Sequence, residues 1–140
     1  MKKLVVLSII MIGLYSCSSK KKTVETNVLY EILKSDDQGG GSFQFYELIT
    51  QKQEFNILLS DKELKTKIDK DDILKSNFIL LNMGEKPSGG YYFTIENVVE
   101  TKDNIIVTVK ENVTKGNVET VITYPLTVVK INSKKDIIIK

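Results

Sequence analysis

The chain has 140 residues and a formal net charge of +2, with 20 basic residues against 18 acidic ones. It contains no histidine, its basic residues are all lysine, and Cys17 is its single cysteine. These absences exclude catalytic triads with histidine, imidazole metal sites and the bidentate contacts that arginine makes with phosphate and carboxylate groups. We therefore predict a protein that is not an enzyme and that has no cofactor and no metal site.

The N-terminal segment is typical of an exported bacterial protein. Lys2 and Lys3 precede the apolar stretch Leu4–Leu14, which is too short to cross the roughly 30 Å hydrocarbon core of a bilayer as a helix. The four residues that end at Cys17 resemble a lipobox, in which the cysteine receives a diacylglycerol and becomes the new N-terminus. This resemblance implies that residues 1–16 are a lipoprotein signal peptide and that Cys17 is lipidated. An ordinary signal peptide with an incidental cysteine is the alternative.

Residues 17–27 are polar and lack periodicity, which predicts a flexible tether ahead of a single globular domain at 28–140. Two or three acyl chains hold a protein on a membrane, so a membrane is the first predicted partner. The lysines after Cys17 do not resemble an acidic export tag, which favours the periplasmic face of the outer membrane. Without residues 1–16 the net charge of +2 falls to zero, and a neutral chain offers no electrostatic footprint for nucleic acid.

The first elements of the domain are predicted to be two strands and a helix. The strands are Val28–Lys34 and Phe43–Ile49, joined by the glycine-rich stretch Asp36–Ser42. No Gly-Lys-Ser/Thr follows these glycines, which favours a loop over a phosphate cradle. Thr50 and Gln53 are predicted to cap the helix, whose apolar stripe contains Phe55, Leu58 and Leu59.

A cluster of carboxylates follows the helix. Asp69, Asp71 and Asp72 have a spacing that begins like a calcium loop. Leu74 and Leu80 occupy the positions at which such a loop requires glycine and glutamate. We therefore predict that Asp71 or Asp72 caps a short turn instead of binding calcium.

The stretch Gly84–Tyr91, GEKPSGGY, departs most from what a generic β domain needs. It follows the apolar run Asn77–Met83 and precedes an alternating run in which Tyr91, Phe93, Ile95 and Val99 share one face. Its proline and glycines predict a hairpin whose loop is longer than a hairpin requires, which is either an ordinary long hairpin or a recognition loop. As a recognition loop, its partner-binding residues are Gly84, Glu85, Lys86, Pro87, Ser88, Gly89, Gly90 and Tyr91.

The remaining chain is predicted to be β, with strands at Asn104–Val113, Val118–Ile131 and Asp136–Lys140. Pro125 cannot donate to a strand ladder, so we expect it at a bulge or on an edge. The elements together predict an α+β, mainly β fold. We expect an antiparallel sandwich or a strongly curved sheet of about seven strands, with one or two short helices inserted after the second strand.

Residues 77–131 resemble the PrcB C-terminal family, named for a protease complex subunit. The resemblance rests on the PSGGY core, on the amphipathic strands that follow it, and on a T-x-P element at Thr123, Tyr124 and Pro125. It implies a non-catalytic, envelope-associated domain, because the founding relative binds and stabilises a secreted subtilisin-type protease. We therefore expect a lipid-anchored envelope protein that binds or stabilises a partner protein, with a secreted protease as the candidate, through the Gly84–Tyr91 hairpin loop.

Two other functions stay open. The stretch Pro87–Tyr91 also resembles a loop of chagasin-type inhibitors of cysteine proteases, which present it from a β-sandwich. The sequence shows no counterpart of the other two inhibitory loops of that family. The third possibility is a structural envelope lipoprotein without a discrete partner.

Overall fold

The computed structural model describes residues 28–140, so the predicted signal peptide 1–16 and the predicted lipidated tether 17–27 lie outside the described residues. Within this part of the chain no helix is long and apolar enough to cross a membrane. The predicted α+β, mainly β class is confirmed. The elements are β1 (Tyr30–Asp36), β2 (Phe45–Ile49), α1 (Lys52–Ser60), two 3-10 turns (Leu64–Thr66 and Asp72–Leu74), β3 (Asn77–Asn82), β4 (Tyr91–Glu100), β5 (Asn104–Val113), β6 (Leu126–Ile131) and β7 (Asp136–Ile139).

The strands form two sheets. The four-stranded sheet has the order β1-β6-β3-β2, and the three-stranded sheet has the order β4-β5-β7. All pairs are antiparallel except β5 with β7, which is parallel. The chain leaves the smaller sheet after β5, passes through β6 in the larger sheet and then returns, so β7 runs in the same direction as β5.

The four-stranded sheet is the middle layer of the molecule, with a core on each face. Phe78 of β3 and Val128 of β6 face α1 and the 3-10 turns. Ile79 and Val129, the next residue of each strand, face the three-stranded sheet. Both central strands are therefore apolar on both faces, which explains why the sequence of β3 is a continuous apolar run without alternation.

Helix α1 covers one of these cores. The Glu54 carboxylate accepts hydrogen bonds from the backbone N–H groups of Thr50 and Gln51, at 3.2 and 3.3 Å. The N-cap and its capping-box partner are therefore Gln51 and Glu54, each one residue after the predicted Thr50 and Gln53. The Phe55 ring lies 4.7 Å from that of Phe78, centroid to centroid, so the predicted apolar stripe of the helix is core.

The acidic cluster lies at the short 3-10 turn Asp72–Leu74, and Asp71 occupies the N-cap position as predicted, but its side chain makes no capping hydrogen bond. Asp72 accepts a hydrogen bond from the backbone N–H of Asp69 at 3.0 Å, and Asp69 accepts one from the N–H of Asp71 at 3.1 Å. Among residues 28–140, no group of three or more histidine, cysteine or acidic side chains is placed to hold a metal ion.

The predicted central hairpin is wrong. β3 pairs with β2 and β6, whereas β4 pairs with β5 in the other sheet. Residues 84–90 are therefore a crossover between the two sheets. The first two strands are likewise not partners, because β1 and β2 form opposite edges of the larger sheet. Apolar patterning identifies strands but does not identify their partners.

One face assignment in β4 is also wrong. The register with β5 shifts between Ile95 and Asn97, which marks a β-bulge. A bulge inserts one residue and reverses the alternation beyond it. Val98 consequently packs into the intersheet core, and the predicted core residue Val99 is 43% exposed.

Candidate functional site

Three loops meet at one end of the four-stranded sheet, and we call this region the three-loop end. It consists of residues 37–44, 84–90 and 114–125. They meet because Asp36 and Asn82, the last residues of β1 and β3, both lie beside Leu126, the first residue of β6. The loops that leave or enter these three strands therefore start side by side.

The predicted recognition loop is bonded to residues 114–125 by its backbone. Lys86 and Thr123 exchange two N–H···O hydrogen bonds of 2.9 and 3.0 Å, and the N–H of Gly89 donates to the carbonyl of Glu119 at 2.8 Å. The Thr123 hydroxyl also donates to the carbonyl of Ser88 at 2.8 Å. The PSGGY core and the T-x-P element, far apart in sequence, are thus in direct contact.

The glycine-rich stretch 37–44 is bonded to both of the other loops. The N–H of Glu85 donates to the carbonyl of Ser42 at 3.1 Å, and the N–H of Gly40 donates to the carbonyl of Tyr124 at 2.8 Å. Asn82 is fully buried beneath this stretch. Its side chain accepts from the N–H of Gly41 at 3.0 Å and donates to the carbonyl of Gly41 at 3.1 Å.

Three glycines at this end are required by geometry. Gly84 and Gly90 adopt φ values of 76° and 83°, a region that side chains with a Cβ rarely enter. Gly40 has no such φ, but a Cβ there would lie 2.0 Å from Oδ1 of Asn82. The adjacent Gly89 does not have a positive φ, so of the two glycines in the PSGGY core only Gly90 needs this backbone freedom.

The predicted site residues divide into exposed and supporting ones. Glu85 and Pro87 are exposed, whereas Lys86, Ser88 and Tyr91 are half-buried. The Lys86 ammonium lies 3.7 Å from the Glu111 carboxylate and 5.5 Å from the centre of the Tyr91 ring. Tyr91 itself packs against the intersheet core. Lys86 and Tyr91 therefore stabilise the loop, while Glu85 and Pro87 face solvent.

Exposed apolar side chains flank the loop, and sequence reasoning missed them. Phe43 is 85% exposed and Ile122 is 53% exposed. Both fell within predicted strands, where they would have been assigned to a sheet face. Phe43 follows three glycines and a serine, and this turn composition was the signal that it lies outside the strand.

Glu85 makes an electrostatic contact with a neighbouring loop of the three-loop end. The Tyr124 hydroxyl donates to its carboxylate at 3.2 Å, and the negative charge of Glu85 raises the pKa of Tyr124. The same loops also expose the carboxylates of Asp37 and Glu119 and the ammonium of Lys115. Such a surface can bind another molecule by shape, by apolar contact with Pro87, Phe43 and Ile122, and by charges of both signs.

Comparison with known proteins identifies the segment that carries this loop. Residues 77–132 match the family model described as PrcB C-terminal. No curated protein and no solved structure shows a significant match to the chain. The match includes the recognition loop and the T-x-P element that are bonded to each other. Residues 77–132 are therefore similar to the PrcB C-terminal family, over less than half of the chain.

Proposed function

We propose that this protein is a lipid-anchored, non-catalytic component of the bacterial cell envelope that binds and stabilises a partner protein through its three-loop end. The candidate partner is a secreted protease, in keeping with the PrcB C-terminal segment. The observation that carries the proposal is a loop whose backbone is already bonded on both sides while Pro87, Phe43 and Ile122 are exposed. A loop that is ordered before binding loses little conformational entropy when it binds.

The position at which the N-terminal chain enters the domain supports partner binding at the three-loop end. The carbonyl of Leu29 accepts a hydrogen bond from the N–H of Asn132 at 2.9 Å, and Tyr30 pairs with Ile131. The described chain thus enters at the end of β1 opposite the three-loop end, and seven residues of a strand span roughly 20 Å. An anchor at Cys17 would leave the three-loop end on the side of the domain away from the tether.

Exchange of exposed apolar residues tests the partner-binding surface. We design a variant with Phe43→Ser, Pro87→Ala and Ile122→Ser, and a control with Ile57→Ser and Leu74→Ser. The control residues are also exposed, at 67% and 72%, but they lie on α1 and a 3-10 turn. Tagged full-length chains are cross-linked in envelopes, and the captured proteins are quantified by mass spectrometry.

The control should capture the same partner as the wild-type chain, and the three-loop variant should capture at least about tenfold less, equivalent to 1.4 kcal/mol. Circular dichroism and thermal unfolding establish that both variants fold. Equal capture by a folded three-loop variant would contradict the proposed surface. A subtilisin-type protease among the captured proteins would support the candidate partner, and its lifetime with and without the chain would test stabilisation.

Lipidation requires a separate test. Cells that express the chain are fed an alkyne-labelled fatty acid, and the chain is purified with and without Cys17→Ala. We expect label on the wild-type chain alone, and loss of the variant from the detergent phase on phase separation. An unlabelled wild-type chain would leave the ordinary signal peptide as the correct interpretation.

One observation favours a second candidate function, a chagasin-like protease inhibitor. The sequence offered one inhibitory loop, whereas the three-loop end presents three loops side by side. Three neighbouring loops can enter the active-site cleft of a protease together. The test is inhibition of a papain-like protease by the purified chain, and a lack of inhibition at micromolar concentration would remove this candidate.

A further inference from the structure

The four edge strands of the two sheets differ in how well they are protected. Within residues 28–140 the edges are β1 and β2 in the larger sheet, and β4 and β7 in the smaller one. β1 has a register shift between Ile32 and Lys34, and β4 has one between Ile95 and Asn97. β7 has four residues. Bulges and short strands are devices by which proteins prevent other strands from pairing with an exposed edge.

β2 has neither device. Its five residues pair with β3 in an uninterrupted register from Phe45 with Asn82 to Ile49 with Phe78. It contains no lysine and no proline, and its one charged residue is Glu47. Its outer side pairs with no strand of the described chain. We call this outer side the β2 edge.

The β2 edge also exposes aromatic side chains. Phe45 is 45% exposed and Tyr46 is 41% exposed. The Tyr46 ring contacts that of Phe93 edge to face, with the centroids 5.7 Å apart. Exposed aromatic rings that rest on a fixed support are the usual energetic centres of protein interfaces.

We propose that the β2 edge binds an extended segment of a partner protein as a fifth strand of the larger sheet. Tyr46 and Leu48 face the intersheet core, since they pair with Leu81 and Ile79. Apolar side chains on the added strand beside these two residues would extend that core. The residue opposite Glu47 would be basic, because opposite charges on paired strands stabilise a sheet.

The charge of Glu47 also argues against a second copy of this chain. An antiparallel pair of β2 strands that used all five residues would have its twofold axis at Glu47, the third residue of the strand. Two carboxylates would then lie directly opposite each other, which destabilises the pair. A partner segment with a central lysine or arginine avoids this repulsion and is the occupant that the edge favours.

This inference rests on the proposed function, because it assumes a protein partner, but it concerns a separate surface. The probe is the fluorescein-labelled peptide Thr-Val-Lys-Val-Thr, and the binding partner is the full-length chain in detergent micelles. Fluorescence anisotropy gives the affinity. Two control peptides carry glutamate in place of lysine, or N-methyl groups on alternate backbone amides, which prevent strand pairing.

The lysine peptide should bind more tightly than the glutamate peptide, by roughly fivefold for a cross-strand charge pair, and the N-methylated peptide should not bind. Glu47→Lys should reverse the preference. Glu96→Lys, on the bulged β4 edge, is the matched control and should leave it unchanged. Equal binding of the N-methylated peptide, no binding up to about 5 mM, or dimerisation of the chain that Glu47→Thr strengthens would overturn the proposal.

The two proposals fail separately. If the peptide binds as expected while the three-loop variant captures its partner at the wild-type level, the three-loop surface is wrong and the β2 edge stands. If the three-loop variant loses its partner while no peptide binds, the reverse holds.

Discussion

The two ends of the four-stranded sheet are held together in different ways. At the three-loop end the contacts between loops are mainly backbone hydrogen bonds, as between Lys86 and Thr123. At the opposite end, where the described chain enters, side chains take this role. The Lys134 ammonium donates to the carbonyl of Thr50 at 2.9 Å and to Oδ1 of Asn77 at 2.6 Å, and burial lowers the pKa of Lys134.

Because of this difference, we expect substitutions at the two ends of the sheet to have different effects. Backbone bonds do not depend on the exposed side chains of a loop, so Glu85 and Pro87 can change while the loop keeps its conformation. Side-chain bonds depend on the individual residue. We therefore expect substitutions of exposed residues at the three-loop end to change binding, and those of charged residues elsewhere on the sheet to change stability.

The largest expected effect is a loss of stability on substitution of Gly40, at the three-loop end. A Cβ on this residue would lie 2.0 Å from Oδ1 of Asn82 and 2.7 Å from the carbonyl oxygen of Tyr124. Gly40→Ala should therefore reduce the free energy of unfolding by about 3 kcal/mol, at the upper end of the usual cost of overpacking. Gly41→Ala is the matched control, since its nearest contact would be 3.7 Å away, and should change stability by less than about 0.5 kcal/mol.

Urea unfolding of the two glycine variants gives this comparison directly. Equal stability of Gly40→Ala and Gly41→Ala would mean that the loops separate without cost. The three-loop end would then not be ordered before binding, and the main support for the proposed function would be lost.

The second largest expected effect on stability lies on the face of the four-stranded sheet that α1 and the 3-10 turns cover. There Asp72 pairs with Lys130 at 3.1 Å. The two side chains are 10% and 14% exposed. Burial opposes the charge of Asp72, but the N–H of Asp69 and the Lys130 ammonium together keep its pKa below the usual value. Asp72→Asn leaves the ammonium of Lys130 without its partner and should cost about 2 kcal/mol.

An exposed ion pair provides the control for this substitution. Glu63 and Lys67 lie 2.7 Å apart, but their side chains are 50% and 42% exposed. Glu63→Gln should therefore cost at most about 0.5 kcal/mol. Thermal unfolding measures both variants, and equal costs would show that burial of the Asp72 pair contributes nothing.

The sequence predicted the elements of this fold better than their arrangement. The bounds of β5 and the core face formed by Ile105, Val107 and Val109 follow from alternation alone, and the structure agrees. Alternation says nothing about which strand lies beside another, so the crossover 84–90 was predicted as a hairpin. The bulge in β4 also has no sequence signal as strong as a glycine or proline, and Val99 was therefore assigned to the wrong face.

The candidate site shows the same limit. Turn residues located the loop at Gly84–Tyr91, and the T-x-P element was noted separately, but their contact depends on the pairing of β3 with β6. The position of Phe43 also involves a distant residue, because the Asn82 side chain donates a hydrogen bond to the Phe43 carbonyl. These are long-range contacts, which the local sequence pattern does not encode.

The smallest expected effect is a pH dependence of the free energy of unfolding. It arises from an ion pair that lies away from the three-loop end. The Lys34 ammonium lies 2.8 Å from the Asp61 carboxylate. This hydrogen bond, together with the backbone N–H groups of Leu64 and Glu63, lowers the pKa of Asp61 from 3.8 to about 2. Because the pKa is lower in the folded state, the contribution to stability is complete above about pH 4 and is lost as the pH falls towards 2.

Partial exposure of the pair limits this contribution to about 1 kcal/mol. The measurement is urea unfolding of the wild-type chain and of Asp61→Asn between pH 2 and pH 7. The two free energies of unfolding should differ most at neutral pH and approach each other as the pH falls through 2, where about half of the wild-type carboxylate is protonated. A difference that stayed constant across this range would mean that Asp61 acts only through the hydrogen bonds that it accepts from the N–H groups of Glu63 and Leu64, and that its charge adds nothing to stability.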